Sequence, residues 1–265
     1  MYLGGAGWRA RIGLILPSVN TVVEPWYYQV APRGVAFHAA RVYLPPALTA
    51  ESLGEMDRHN LRAAREVASA QVDVVAHCCT ASSILKGPEH DRAVAAEIER
   101  ETGIPTTTAM DAVLRALHAV GVGRIAVASP YPHEIDEREV AFFAQCGVEV
   151  VSIKSLGITS SAGLAEPGPD EVYRFAREAF VPGAEGLFVS CLNLRSHDAI
   201  AALEDDLGVP VVTSPQAVLW NALRLAGLRA SIPGYGRLLT LVDATPGPRE
   251  PLPRSAPEKP PLPAR

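Results

Sequence analysis

Two of the four cysteines in this 265-residue chain occupy matching places in a repeated sequence. The segment "VDVVAHCC" ends at Cys79, and "AEGLFVSC" ends at Cys191, 112 residues later. Each cysteine follows a short apolar run typical of a buried parallel strand. If the two strand ends face one ligand from opposite sides, one thiolate can attack or take a proton while the other thiol donates one. That arrangement suits racemisation or reversible addition to an activated double bond.

The other two cysteines have simpler interpretations. Alternation along the strand points Cys78 away from the side of Cys79, and Cys146 lies in a predicted helix, so both are expected to pack as small apolar side chains. The cysteines show neither a CxxC pair nor the His/Cys spacing of zinc sites, so we predict no metal. A vicinal disulfide between Cys78 and Cys79, in a ligand-binding or redox protein, is a strained alternative.

The repeat extends well beyond the cysteines. "RIGLILPS" from Arg11 matches "RIAVASPY" from Arg124, and "GIPTTTAMDAVL" from Gly103 matches "GVPVVTSPQAVL" from Gly208. Apolar strands alternate with predicted helices at 61–71, 92–101, 134–145 and 170–180, which indicates parallel sheets flanked by helices. We therefore predict an α/β fold of two lobes related by a pseudo-twofold axis, with the active site in the cleft between them.

The predicted boundaries follow the repeat. The first lobe comprises residues 10–106 plus 213–240, and the second comprises residues 107–212. The proline-rich segment 245–265 is predicted to be an extended or disordered tail.

The loop after the first strand carries a helix-start signal. "TVVE", Thr21 to Glu24, predicts a capping box, with Pro25 in the first helical turn. Asn20 then lies at a corner between a strand and a helix, where open α/β folds gather ligands. Tyr131 is the repeat partner of Ser18 and occupies the same kind of strand end.

The composition excludes several classes of function. A net charge of −5 argues against a general nucleic-acid surface, which would be basic. No apolar run approaches the roughly 18 residues of a membrane span, and the first residues lack a signal-peptide core. These features predict a cytoplasmic protein that binds neither nucleic acid nor membrane.

The motifs resemble the aspartate/glutamate racemase superfamily. The segments that carry the resemblance are "GLILPSVNTVVEP", "CTASSILKG", "SPY" and "SCLNLRS". "PSVNTVVEP" is most similar to the maleate cis–trans isomerase branch, which also includes relatives of arylmalonate decarboxylase. The resemblance runs from Arg11 to Leu239. It implies a cofactor-independent enzyme that acts on a small-molecule carboxylate, as a homo-oligomer and most simply a dimer.

The resemblance also implies roles for the two matched cysteines. Cys79 would add as a thiolate to C2 of maleate, which converts the double bond into a single bond that can rotate. Cys191 would supply and later remove the proton at C3, and elimination would release fumarate.

The same resemblance implies the carboxylate-binding groups. Asn20 and Tyr131 would hold one carboxylate, while Thr80 and backbone amides such as that of Leu192 would complete the anion pockets. Ser161 stands where these isomerases usually carry a substrate-binding asparagine. Its shorter side chain leaves room for a bulkier or differently substituted diacid.

Other activities on this scaffold remain open from sequence. An amino-acid or hydantoin racemase would use the same two cysteines for proton transfer, without a covalent adduct. An arylmalonate decarboxylase-like enzyme is a further alternative. That branch usually keeps only the second cysteine, so the presence of Cys79 counts against it.

Overall fold

The computed structural model describes residues 6–242, so the predicted tail 245–265 lies outside the described residues. The chain forms two four-stranded parallel sheets with the same topology, β2-β1-β3-β4 and β6-β5-β7-β8. The first sheet comprises β1 (Ala10–Pro17), β2 (Val35–Val42), β3 (Val74–His77) and β4 (Thr106–Thr108). The second comprises β5 (Arg124–Ser129), β6 (Glu149–Ser155), β7 (Gly186–Val189) and β8 (Val211–Thr213). The predicted fold of two matching α/β lobes is confirmed.

Helices flank both sheets. They are α1 (Val23–Val30), α2 (Ala50–Asp57), α3 (Asn60–Ala68), α4 (Thr80–Thr102), α5 (Ala109–Ala119), α6 (His133–Gln145), α7 (Pro169–Ala179), α8 (Ile200–Leu207) and α9 (Ser214–Leu225). All residues of the inner strands β3 and β7 are buried, as expected for strands covered by helices on both faces. In the described part of the chain, no helix combines the length and apolar character needed to span a bilayer.

The predicted helix at 92–101 is only the second half of α4. The helix begins at Thr80, and at Gly87 the backbone turns to φ 80°, ψ 172° before Pro88 starts the second part. The Gly–Pro pair reads as a helix break in sequence, yet the two parts continue one after the other across this kink. Because α4 begins at Thr80, the residue directly after Cys79 is already helical.

The capping box predicted at Thr21–Glu24 is wrong. Helix α1 begins at Val23, and no side chain caps it in the predicted way. The Glu24 side chain instead forms an ion pair with Arg41. Asn20 Oδ1 accepts hydrogen bonds from the first two backbone amides of this turn, at 3.0 and 3.1 Å. The short asparagine side chain reaches those amides from one residue earlier, and Glu24 is drawn away by the guanidinium.

Several contacts join the two lobes, and two of them involve their connecting segments. Helix α9 packs on β1, β3 and β4 of the first sheet and against α5. These contacts support our proposal that residues 213–240 belong with the first lobe. On the other side, the Leu48 amide donates to the Thr159 carbonyl at 2.8 Å, and the Ser161 amide donates to the Pro46 carbonyl at 2.8 Å. The cleft lies between these connections.

Candidate active site

A small cavity lies where the two lobes meet. Its volume is about 30 Å³, which holds about two water molecules. It brings together six of the seven residues predicted for the site: Asn20, Cys79 and Thr80 from the first lobe, and Tyr131, Cys191 and Leu192 from the second. The rest of the lining consists of Asn193, Cys78 and apolar side chains, with Leu44, Leu48, Leu53 and Leu164 among them.

Cys79 is the residue at which strand β3 gives way to helix α4. It serves as the N-cap with extended backbone angles, φ −135° and ψ 101°. Burial raises the pKa of its thiol far above the usual range, and the carboxylate of Asp57 adds to that increase. The backbone N–H groups of Ser82 and Ala81 point at the sulfur and oppose it. These two amides are the groups that stabilise a Cys79 thiolate.

Cys191 follows strand β7 in a different conformation. Its φ is +84°, and Gln71 is the other non-glycine residue with a positive φ in the described chain. The Asn193 amide donates to the sulfur at 3.3 Å, and the Tyr131 hydroxyl also hydrogen-bonds it. Burial raises the pKa of the Cys191 thiol to about 11, against the lowering effect of these donors. A left-handed conformation costs a cysteine about 1–2 kcal/mol, so the loop holds this thiol at the expense of backbone strain.

Asn193 is a residue of the site that the sequence reasoning missed. Its Oδ1 accepts from the Thr21 amide at 3.0 Å, and its Nδ2 donates to the Val19 carbonyl at 3.3 Å. It also lines the cavity. One side chain therefore ties the Cys191 loop of the second lobe to the first loop of the other lobe. The available signal was its place two residues after Cys191 in "SCLNLRS".

The predicted carboxylate-binding residues offer hydrogen-bond donors. Since Asn20 Oδ1 is used at the start of α1, its amide nitrogen is the group left for a ligand. Thr80 Oγ1 is buried and has no hydrogen-bond partner among residues 6–242. Burial raises the pKa of Tyr131 well above its usual value, so its hydroxyl stays a donor. A cavity with these groups suits an anion held by dipoles, because none of the lysines and arginines among residues 6–242 lines it.

Ser161 lies outside the set of residues that line the cavity. It is fully buried, and its hydroxyl donates to the Pro45 carbonyl at 2.8 Å. The side chain thus contributes to the connection between the lobes. Its predicted contact with substrate stays a prediction.

The remaining cysteines do not form a redox pair. All four cysteines are free thiols, and Cys78 is fully buried, with its sulfur donating to the Ala76 carbonyl at 3.3 Å. Within the described residues, no three His, Cys, Asp or Glu side chains are grouped so that they could hold a metal ion. The vicinal disulfide between Cys78 and Cys79 is not formed.

Known proteins share this fold and much of the sequence. The chain is 34% identical over 235 residues to the arylmalonate decarboxylase of Bordetella bronchiseptica, covering 84% of this chain and 96% of that protein. It is 27% identical over 244 residues to the maleate isomerase of Geobacillus stearothermophilus, covering 87% and 97%. The crystal structure of a Cys-to-Ala variant of the Pseudomonas putida S16 maleate isomerase with maleate superposes with a TM-score of 0.83, at 27% identity over 87% and 97% of the two chains.

The match to a family as a whole is equally extensive. It covers residues 12–239. Within the described part of the chain, this range contains β2 to β8, most of β1, helices α1 to α9 and both cysteine loops. The predicted relationship to maleate isomerases and arylmalonate decarboxylase is confirmed. This chain belongs to the arylmalonate decarboxylase family of enzymes.

Proposed function

We propose that this enzyme is a cofactor-independent cis–trans isomerase of a small dicarboxylate, with maleate converted to fumarate. The observation that carries the proposal is that a thiol from each lobe, Cys79 and Cys191, lines the same cavity. The resemblance to maleate isomerases across 87% of the chain supports it. Two opposed thiols supply a nucleophile and an acid/base without a cofactor.

The different pKa values of the two thiols favour different roles, with Cys79 as the nucleophile and Cys191 as the acid/base. Burial raises both pKa values, but Cys191 keeps the lower one, about 11, because Tyr131 and backbone amides donate to its sulfur. Cys191 is therefore the first to ionise and takes up the proton of Cys79. A thiolate with a higher pKa is the stronger nucleophile, which favours Cys79 for the attack.

The addition proceeds with a balanced transfer of one proton. The Cys79 thiolate forms a C–S bond to C2, and the electron pair of the double bond moves to C3 and its carboxylate. Cys191 then gives its proton to C3, which leaves a succinyl thioether with a C2–C3 single bond. After rotation, the Cys191 thiolate removes a proton from C3, the C–S bond breaks and fumarate leaves.

Neutral donors stabilise the negative charge that develops during addition. We assign Asn20, Tyr131, Thr80 and the Leu192 amide to the substrate carboxylates. In a closed apolar cavity such preorganised dipoles act more strongly than they do in water.

Incubation with maleate tests the proposal. We expect fumarate to form, and we expect Cys79→Ala to abolish its formation while Cys146→Ala, at the end of α6, leaves it unchanged. With Cys191→Ser, mass spectrometry should find a succinyl group on the Cys79 peptide, because C3 can still take a proton from the serine hydroxyl or water, whereas a neutral serine hydroxyl is too weak a base to remove it again, so the adduct accumulates. Failure to convert maleate or related cis-diacids would overturn the proposal, and an adduct on Cys191 would reverse the two roles.

Decarboxylation of a substituted malonate is the second candidate. The leucine walls of the cavity suit an apolar substituent, and the decarboxylase relative is 34% identical. Release of carbon dioxide from phenylmalonate, abolished by Cys191→Ala but retained by Cys79→Ala, would favour it. Exchange of an amino-acid α-proton with solvent deuterium, without turnover of either diacid, would instead favour a racemase.

The assembly and location also stay predictions. We expect a homodimer, which light scattering of the purified protein would detect. We expect a cytoplasmic location, which cell fractionation would test.

A further inference from the structure

A buried carboxyl group lies behind the Cys191 loop. Glu139 on α6 is fully buried, and the Ser190 hydroxyl donates to its Oε1 at 2.6 Å. Ser190 is the residue directly before Cys191, where the backbone enters its left-handed conformation. The carboxyl therefore holds the residue from which the strained loop departs.

The same carboxyl reaches the strand end that carries Tyr131. The Ser129 hydroxyl lies beside the carboxyls of Glu139 and Asp136 and lowers the pKa of both, and Ser129 Oγ accepts from the Tyr131 amide at 3.2 Å. Tyr131 in turn hydrogen-bonds the Cys191 sulfur. Glu139 thus connects the backbones of two residues whose side chains meet in the cavity.

The first lobe has no such carboxyl at the matching place. Trp26 and Tyr27 precede Glu139 by 113 and 112 residues, the spacings of Ser18 to Tyr131 and of Cys79 to Cys191, and Cys78 precedes Ser190 by 112. The Tyr27 hydroxyl donates to the Pro215 carbonyl at 2.8 Å, and Cys78 donates to its own strand. A buried acid in this position therefore belongs only to the lobe that supplies Cys191.

The charge of Glu139 acts on Cys191 and Tyr131. Burial raises the pKa of Glu139 to about 8, and the hydroxyls of Ser190 and Ser129 oppose that increase. Once ionised, it raises the pKa of Cys191 and of Tyr131. The other charged group that faces it is Asp136, one turn earlier on α6. Oε2 of Glu139 has no hydrogen-bond partner among residues 6–242.

We propose that Glu139 is a positioning residue that holds Cys191 through Ser190 and Tyr131 through Ser129, and whose ionisation makes Cys191 keep its proton. The role of Cys191 as proton donor rests on the proposed isomerisation, whereas the link between Glu139 and the Cys191 proton does not. An ionised Glu139 raises the pKa of Cys191 towards the higher pKa of Cys79. The proton then passes more readily between the two thiols.

Alkylation of Cys191 tests the link without any substrate. The rate of iodoacetamide labelling is followed on the Cys191 peptide by mass spectrometry, in the natural protein and in Glu139→Gln. At about pH 6 both side chains at position 139 are neutral, and the rates should agree. At about pH 9.5 only the natural protein carries the charge, so Cys191 in Glu139→Gln should react roughly three to ten times faster.

A matched control separates the charge from the loss of any buried carboxyl. Asp91 on α4 is also buried, and its Oδ2 accepts from Thr108 at 2.6 Å, but the groups that shift the pKa of Cys191 do not include it. Asp91→Asn should leave the rate ratio near one at both pH values. A Glu139→Gln ratio that is the same at both pH values would overturn the link between charge and thiol.

The natural protein provides a second measurement if Glu139→Gln does not fold. The logarithm of the labelling rate of an isolated thiol rises with unit slope against pH below its pKa. Ionisation of Glu139 should flatten that slope between about pH 7 and 9, because each new carboxylate withdraws thiolate from Cys191. Unit slope throughout this range contradicts the proposal.

Turnover then tests the positioning role. Glu139→Leu should lower kcat at least about tenfold with KM nearly unchanged, because the carboxyl touches the loop and not the substrate. Glu139→Gln should restore most of kcat near neutral pH, since its amide oxygen still accepts from Ser190. Equal losses in Leu and Gln variants would contradict the hydrogen-bonded positioning. If maleate is not a substrate, the alkylation result still decides the charge effect.

Discussion

The two cysteine loops occupy the same place in the two lobes but hold their thiols differently. Cys79 has extended backbone angles and is the N-cap of α4, so the backbone amides of Ala81 and Ser82 in the first turn of that helix point at its sulfur. Cys191 has φ +84° and its sulfur receives a side-chain hydroxyl as well as amides. The carboxylate that raises the pKa of Cys79 is that of Asp57, paired with Lys86 at 2.9 Å. Glu139 behind Cys191 accepts from Ser190 and forms no ion pair within residues 6–242.

The difference shows how a duplicated unit can support two chemical roles. A thiol at an extended corner, with a pKa that burial raises strongly, suits nucleophilic attack once it ionises. A thiol in a strained, hydrogen-bonded loop is kept in one place with a lower pKa, which suits repeated uptake and release of a proton. The comparison can be tested at four points.

The largest expected effect is on the pH dependence of isomerisation. Because burial raises the pKa of both thiols, little thiolate exists near neutrality, and kcat/KM should rise with pH from about pH 7 to 10. The rise should be less than about tenfold per pH unit between about pH 7 and 9, where Glu139 ionises, and about tenfold per unit above that range. The rise should end as Cys191 loses its proton near its pKa of about 11. A stopped-flow assay across this range measures it. A flat profile would mean that neither thiol has to ionise.

The hydroxyl of Tyr131 is the donor that the Cys79 loop lacks. Tyr131→Phe removes it from the Cys191 sulfur and from the substrate, so kcat/KM should fall about a hundredfold. The pKa of Cys191, read from its alkylation rate against pH, should rise in the same variant. Tyr28→Phe, at an exposed residue of α1 far from the cavity, is the control and should change neither quantity.

The bond between Asn193 and the first lobe has no counterpart after Cys79. The matching residue is Ala81, which has no polar side chain. Asn193→Ala leaves the Thr21 amide without its acceptor, so the free energy of unfolding should fall by about 1–3 kcal/mol in urea titration. Asn193→Asp keeps that acceptor and should lose less. Equal losses in the two variants would show that the Thr21 bond contributes little.

The smallest effect concerns backbone strain. At Cys191, glycine should give a more stable protein than alanine by about 1–2 kcal/mol, because glycine adopts positive φ without a steric cost. At Cys78, the residue directly after strand β3 in the first lobe, the glycine variant should be less stable than the alanine variant by about 0.5–1 kcal/mol. Thermal unfolding of the four variants measures both differences. The same sign at both positions would mean that Cys191 is not strained.

The sequence by itself determined the duplicated architecture and the pair of cysteines that matters. Buried parallel strands need continuous apolar runs, so "VDVVAHCC" and "AEGLFVSC" revealed equivalent strand ends, and parallel strands place those ends at one edge of each sheet. The local sequence pattern at the start of α1 predicted the wrong helix cap. The capping box at Thr21 failed because Arg41, on the neighbouring strand β2, draws Glu24 away.

Only the tertiary structure decided how each thiol is held. Asn193, Glu139 and Ser161 make their decisive hydrogen bonds to residues between 51 and 172 positions away in the chain, and no periodicity encodes such a contact. The left-handed backbone at Cys191 is equally invisible, since cysteine has no preference for it. Such features arise when distant segments pack together, within one lobe at Glu139 and between the lobes at Asn193 and Ser161, because the field at a buried sulfur depends on which distant groups fold around it.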